Sequence, residues 1–429
     1  MSLKNIPPVR SDSTESLVQF TNARRWSVVA LLFVASLINY FDRATLSFAL
    51  PFISKDFNLG PTAKGVLSSS FFWSYALMQI PIGLCADRFN LRWLYAGSFA
   101  LWSFAQGLTG FATSLGMLIL FRVLLGFGEA IYLPGGTKIV SLLFPVSERG
   151  LPCGLFDFGT RSGLVLEGLL VPWMLEHLGW RKTFLIVGFT ALLWLLPWFW
   201  VTPAQLRARV PVKTDLNRTA ITKGILSLAR NRNLIGICLG FFCFDYYWYL
   251  LLTWLPDYLV TVRQFTIMKA GIFASLPFLV FGVCQPTGGW IGDRLVRAGW
   301  NETRVRKGLI TVAFLTGLLL IPAALAPSPY VAITLIIGGS LVGLSTANQI
   351  VILQHCAPAD KVGLWTGVYN FMGNLAGITA PIVTGFLIEK TGSYTSAFVF
   401  AALLIALGPL AYWFIVGELK SSPQPPKSG

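Results

Sequence analysis

The chain has 429 residues, 55% of them hydrophobic and 12% charged, with mean hydropathy +0.66. A soluble chain of this length needs far more charge to cover its surface, so that class is excluded. The net charge of +15 invites a nucleic-acid reading, which the placement of the basic residues excludes in turn.

Residues 1–25 are polar and hold no apolar core followed by a small-residue cleavage site, so no removable leader is expected. Apolar runs of about 20 residues, the length that spans a bilayer, then recur. Twelve are predicted, at roughly 26–50, 62–84, 93–112, 114–140, 150–175, 181–201, 232–256, 267–290, 307–327, 329–351, 362–388 and 395–417. Backbone groups in hydrocarbon must be bonded within the segment, which such runs achieve only as helices.

The first helix carries NYFDRATLSFALP, with Asp42 and Arg43 side by side. A charge at mid-membrane costs a few kcal/mol, so it is expected to be functional or paired. Asp42 lies about 8 residues, roughly 12 Å, from the outer end of its predicted span. The loop after helix two, GLCADR, holds Gly83, Asp87 and Arg88. A carboxylate and an arginine at a helix end can latch neighbouring helices in one state and release them in another. The alternative is a topology anchor.

Helix four, FRVLLGFGEAIYLPGG, starts near Ser114 and brings Arg122 to a depth similar to that of Asp42. Glu129 follows two turns later on the same face, with Gly126 between. Arg122 is therefore expected to pair with a buried carboxylate, each offsetting the other's desolvation. Gly126 and Gly128 allow close helix approach, and Pro134 with Gly135 and Gly136 is expected to bend the lower half. Lys138 snorkels and receives no role.

Helix five, GLFDFGTRSGLVLEG, sets Asp157 and Arg161 four apart, where they can pair. Arg161 is read either as a second cavity arginine for a substrate with two acidic groups, or one acid and several hydroxyls, or as half of a self-neutralised pair. Glu167 falls on another face and has no assigned role; it and Asp245 are the further proton-carrier candidates if Glu129 does not serve. Helix seven, FFCFDYYWYLLLTWLP, places Asp245, Tyr246, Trp248 and Tyr249 near mid-depth, where aromatic faces can stack on a sugar-like or aromatic acid. In helix eleven, Asn370 and Asn374 can bond hydroxyls.

The six cysteines all fall within or at the ends of apolar segments and read as small hydrophobes. His177 and His355 are predicted in loops, with no metal-ligand spacing and no nucleophile constellation, so neither an enzyme nor a metal or other cofactor is expected.

The halves repeat. Leu50, Pro51 and Gly65 match Leu255, Pro256 and Gly271, and the GLCADR loop recurs 206 positions on as GWIGDR, with Asp293 and Arg294 as the second gating pair. At a shift of 213, Gly150, Asp157, Arg161, Glu176 and Gly179 align with Gly363, Asn370, Asn374, Glu389 and Gly392. The predicted fold is therefore an all-α membrane protein of twelve transmembrane helices in two pseudo-symmetric six-helix bundles, 26–201 and 232–417, joined by a basic linker over 202–231 and flanked by tails over 1–25 and 418–429. Such repeats place a transport site between the halves at the midplane, whereas a channel would need symmetric pore elements.

Of the 33 Lys and Arg, 22 lie in the tails and the even-to-odd loops and seven in the odd-to-even loops. By the positive-inside rule both tails and the linker are expected to be cytoplasmic. The basic excess sets topology, and no nucleic-acid partner is expected.

GLCADRFNLRW resembles the signature loop of the major facilitator superfamily, roughly G-x-x-x-D-R-x-G-R-R, with Asn90 where Gly is usual. Asn tolerates a left-handed backbone, which makes the departure mild. NYFDRATLS, FFWSYALMQIPIG, FRVLLGFGEA and GNLAGITAPIVTG together resemble the anion:cation symporter family within it, from about Trp26 to Val416. That family includes hexuronate, galactonate, glucarate, tartrate and phthalate permeases and carriers of sialic acid and glutamate. The resemblance implies that Asp42 and Glu129 carry protons, that Arg122 contacts the substrate carboxylate, and that Tyr40, Arg43 and Tyr75 lie near the site. The charged pair Asp157 and Arg161 departs from it.

A carboxylate stripped of water takes a proton more readily, so it can load on one side and release on the other. The expected function is import of an organic acid anion by proton symport through alternating access, with Na+ as the alternative coupling ion and a drug or metabolite exporter of the same fold as the alternative function. The expected setting is a monomer spanning the inner (plasma) membrane.

Overall fold

Polar residues set where the helices begin. Asn90, Ser114, Asn231, Thr266, Asn301 and Ser393 each cap a helix by accepting a hydrogen bond from a backbone N–H of its first turn. The computed structural model describes residues 21–144, 150–204, 206, 230–358 and 362–419. The predicted tails and linker lie mostly outside these residues.

Among the described residues the chain forms twelve spanning helices. The first six are α1 (Asn22–Asp56), α2 (Pro61–Arg88), α3 (Leu91–Leu108), α4 (Leu115–Leu143), α5 (150–178) and α6 (180–201). The others are α7 (Arg232–Thr261), α8 (Ile267–Arg297), α9 (Glu302–Leu325), α10 (Pro329–Cys356), α11 (Val362–Thr391) and α12 (Tyr394–Ile415). Nine apolar runs are long enough to cross a bilayer; one of them folds back at Gly179 into α5 and α6, and α2 and α3 complete the set.

Several bounds differ from expectation: α7 and α8 run on to Thr261 and Arg297, past 256 and 290, and α9 begins at Glu302, ahead of 307. α1 continues through Pro51 to Asp56, proline being tolerated inside a spanning helix. α4 breaks at Ala130 and Ile131, one turn ahead of the expected bend at Pro134. Asn90 takes an extended backbone, φ −71°, as the cap of α3, so left-handed tolerance is not what the loop uses there.

The repeat reappears in the backbone. Asn58 (φ 51°) and Gln264 (φ 57°), 206 apart, close α1 and α7, while Gly179 (φ 75°) and Gly392 (φ 67°), 213 apart, turn α5 into α6 and α11 into α12. One end of the molecule carries the start of α1, the end of α6, the start of α7 and the end of α12. There Arg24 Nε donates to Val201 O at 2.7 Å and Gly417 N donates to Asn233 Oδ1 at 2.8 Å.

The two sets of six helices meet through α1–α7, α2–α11 and α5–α8. A Cβ on Gly65 would stand 2.4 Å from Pro381 O, and one on Gly271 would stand 2.2 Å from Gly168 O. These crossings are repeat-related, since 65 and 271 differ by 206 and 168 and 381 by 213. Both lie toward the end away from the termini. Toward the termini, Gly83 on α2, Gly154 on α5 and Gly367 on α11 face open space. The bundles meet at the far face, and these three glycines toward the termini have no neighbour across from them. Outward surfaces stay apolar, with Leu196, Trp200 and Phe414 at 70%, 84% and 69% exposure, as lipid contact requires.

Candidate functional site

Asn39, Asp42, Arg43 and Leu46 share one face of α1, three or four residues apart. Arg43 Nε donates to Glu129 Oε2 of α4 at 2.7 Å, and both side chains are buried. The guanidinium carbon lies 4.8, 4.8 and 4.4 Å from the ring centres of Tyr40, Phe71 and Tyr75. This aromatic collar supplies face-on negative charge to a cation with little water around it.

Arg122 stands beside this pair, 3% exposed, its guanidinium carbon 5.3 Å from the Phe71 ring. Among the described residues it makes no ion pair, and its Nε and Nη1 have no hydrogen-bond partner. A small pocket opens here, with Arg43 and Ser47 of α1, Ser68 and Phe72 of α2, Arg122 of α4 and Thr253 of α7 among its walls. Both bundles therefore contribute to it. A guanidinium fork presents paired N–H donors in the geometry that a planar anion accepts.

The pairing differs from expectation: the buried carboxylate is held by Arg43, and Arg122 is left free. Asp42 and Arg43 are adjacent, so their side chains leave α1 about 100° apart. The longer one reaches Glu129. Asp42 is 0% exposed, both its carboxyl oxygens lack a partner, and it lies in electrostatic range of Glu129 and Arg122. Gln106 Nε2 donates to the Asp42 backbone oxygen at 3.2 Å, not to the side chain.

Asp157 and Arg161 form no ion pair. Asp157 accepts from the Tyr132 hydroxyl at 3.2 Å, while Arg161 reaches the other bundle, 5.6 Å from the Trp248 ring and 6.0 Å from that of Phe281. There it lies in electrostatic range of Asp245. Tyr249 crosses in the opposite direction, its ring 4.6 Å from Phe72. Tyr246 points away from the pocket and packs 5.5 Å from Phe400 of α12, so the structure gives it a packing position. Asn374 donates to Asn370 O at 2.9 Å within α11, and neither asparagine lines the pocket.

At the termini-bearing end the second-half latch is Asp293 with Arg306, at 2.6 Å, and Arg306 continues to Asn348 Oδ1 at 3.0 Å. This ties α8, α9 and α10 together within one bundle. Arg294, expected in that latch, lies over Trp290 at 5.3 Å instead, because successive residues on a helix diverge. In the first half Arg88 is exposed, and the Asp87 side chain lies outside the described residues. Arg92 Nη2 donates to Phe199 O at 2.7 Å and fixes α3 to α6. Both histidines are helical, not in loops, and His355 Nε2 lies 3.5 Å from Glu302.

Sequence reasoning missed the closure of the far face. Lys64 Nζ of α2 donates to Asp257 Oδ1 of α7 at 3.1 Å, and the Tyr394 hydroxyl donates to the same carboxylate. Thr62 N donates to Glu389 Oε2 at 3.0 Å. Lys64 read as a loop charge, and Asp257 stands one residue past the predicted span; only helix packing brings them together.

The Major Facilitator Superfamily model matches residues 32–381 and 298–429. The uncharacterized transporter YybO of Bacillus subtilis is 32% identical, covering 92% of this chain and 95% of its own. The probable galactarate/D-glucarate transporter GudP of Bacillus subtilis is 31% identical (92% and 92%), and the D-galactonate transporter of Escherichia coli O6:H1 is 31% identical (92% and 96%). Among solved structures, a bacterial homologue of the human lysosomal transporter Spinster, inward-facing and occupied, gives TM-score 0.79 at 19% identity, covering 92% of this chain and 97% of its own. A D-xylose-proton symporter gives TM-score 0.73 at 16% identity, covering 92% and 98%.

Proposed function

The chain belongs to the Major Facilitator Superfamily, and on that premise we propose that it imports an organic acid anion, a sugar acid or hydroxy-dicarboxylate, by proton symport through alternating access. It is a membrane transporter and not an enzyme. One observation carries the reading: Arg122 offers a buried, unpaired guanidinium to a pocket that both bundles line, next to an arginine held by a carboxylate.

Protonation of Glu129 removes the charge that holds Arg43, and Arg43 then joins Arg122 in facing the substrate carboxylate. When the proton leaves, Glu129 competes for Arg43 again and the anion is expelled. The Arg43–Glu129 bridge is thus the signature of an ionised Glu129. Asp42 is the second coupling carboxyl, so up to two protons accompany one monoanion and import moves positive charge inward. The hydroxyls of Ser47 and Ser68 and the faces of Tyr40, Tyr75 and Tyr249 suit a polyhydroxy acid, and Arg161, which reaches Trp248 and Phe281 of the other bundle, suits a second acidic group. Asp87, Arg88, Asp293 and Arg294 belong to the termini-bearing gate, with Arg306 as the partner of Asp293. The termini face the cytoplasm of a plasma membrane, which makes the termini-bearing face the inward one.

Relatives named for galactarate, D-glucarate and D-galactonate support this substrate class. Arg43 and Arg122 on the pocket wall disfavour export of lipophilic cations. Purified protein in liposomes should accumulate D-glucarate or D-galactonate under an acid-outside pH gradient and not under a Na+ gradient alone. Accumulation of no acid, together with extrusion of lipophilic cations, would support the exporter instead.

A further inference from the structure

Glu167 has no part in the scheme above, yet it is 1% exposed and its Oε1 has no hydrogen-bond partner. Its level in the bundle follows from the crossing of α1 and α5. A Cβ on Gly159 would stand 2.3 Å from Phe33 O, and one on Gly163 would stand 2.5 Å from Leu37 O. Each step of four on α5 matches a step of four on α1, so the next step sets Glu167 beside Phe41 and Asp42. Among the described residues, Asp42 is the charged group in electrostatic range of Glu167. On the other side, Gly168 meets Gly271 and Ser275 of α8, and the Ser275 hydroxyl already donates to Ile272 O.

Two buried carboxyls at one level, with no ion pair to Glu167 among the described residues and no hydrogen bond to either carboxyl oxygen of Asp42, cannot both be ionised at reasonable cost. The crossing itself does not need the acid. The repeat-related position on α11 is Ala380, fully buried next to the equivalent Gly65–Pro381 contact.

We propose that Glu167 is a third coupling carboxyl, which shares a proton with Asp42 at the boundary of the two bundles and passes it on when α5 parts from α8. The proposal rests on the proton-symport reading. Proton transfer between the two carboxyls leaves one neutral at every stage, and the Asp42 end lies within range of Glu129 and Arg122. Glu167 thus links the bundle boundary to the anion pocket, and the coupling responds to which bundles are in contact.

Full-length protein in liposomes, with D-glucarate and D-galactonate as probes, tests this through two readouts. Counterflow without a pH gradient reports binding and alternation; uptake against external pH reports coupling. Glu167→Gln should keep counterflow within about twofold of wild type, move the midpoint of the pH profile by about one unit and lower pH-driven accumulation about tenfold. Glu167→Asp should restore the wild-type profile. An unchanged pH profile in Glu167→Gln, or equal loss of counterflow and uptake in both variants, overturns the proposal. If Asp42→Asn abolishes pH-driven accumulation while Glu167→Gln does not alter it, only the role of Glu167 falls. If wild type itself shows no pH-driven accumulation of either acid, the symport reading falls with it.

Discussion

Arg122 and the Arg43–Glu129 bridge make opposite demands on a substitution. Arg122 has no partner to strand, so Arg122→Ala should leave thermal stability near that of wild type. Its anion binding should weaken about 10- to 100-fold, the worth of hydrogen bonds to a charged group, with partial recovery in Arg122→Lys, which keeps charge and loses the fork. Isothermal titration with a transported acid measures this. Glu129→Gln strands a buried guanidinium, which costs about 3–5 kcal/mol less whatever the three rings around Arg43 return. Thermal unfolding in detergent should show that loss, and Arg43→Gln added to Glu129→Gln should recover most of it. These three charges, and Asp42 beside Arg43, were legible in the sequence, because a charge in an apolar run stands out and the local motifs carry a resemblance. Their partners were not. Adjacent residues on α1 diverge by about 100°, and only the rotation of the helix in the bundle decides which of them meets α4.

Helix crossings decide how far the pocket walls stand apart. A Cβ on Gly126 would come 2.1 Å from Phe71 O, so Gly126→Ala must push α4 from α2 and displace Phe71, the ring that both site arginines touch. A loss of about 1–3 kcal/mol in stability and a larger proportional loss in anion affinity are expected, read by thermal unfolding and titration of the same sample. Helix number and order could be read from the apolar runs, and the kinship of α2 with α8 and α5 with α11 from the two fixed offsets. Ends and breaks were less legible. α1 outruns its apolar stretch to Asp56, where Trp180 and Arg181 bind the carboxylate at 2.8 and 2.7 Å, contacts that lie 124 and 125 positions away in the chain. Tyr246 illustrates the same limit: helix seven is aromatic all round, and the choice between pocket and packing belongs to α12.

The whole molecule is held in one of its states by far-face contacts between bundles. Lys64→Ala or Asp257→Asn removes the Lys64–Asp257 bridge, and the bundles should part more often at that face. Spin labels at positions 55 and 262, near the far ends of α1 and α7, should gain a longer-distance population in either variant. The two-bundle architecture was visible in the repeat, since six helices on each side of a polar stretch need no structure to count. The state was not, because the charges that close the far face sit at helix ends, where they read as ordinary loop residues. The central claim is that Glu129 gives up Arg43 by taking a proton as the anion arrives. Proton uptake on binding tests it most directly: purified protein in weakly buffered solution near neutral pH receives D-glucarate, and the pH change is recorded. Wild type should take up at least one proton per anion bound, and Glu129→Gln at least one fewer. Binding by wild type with no proton uptake would contradict the account.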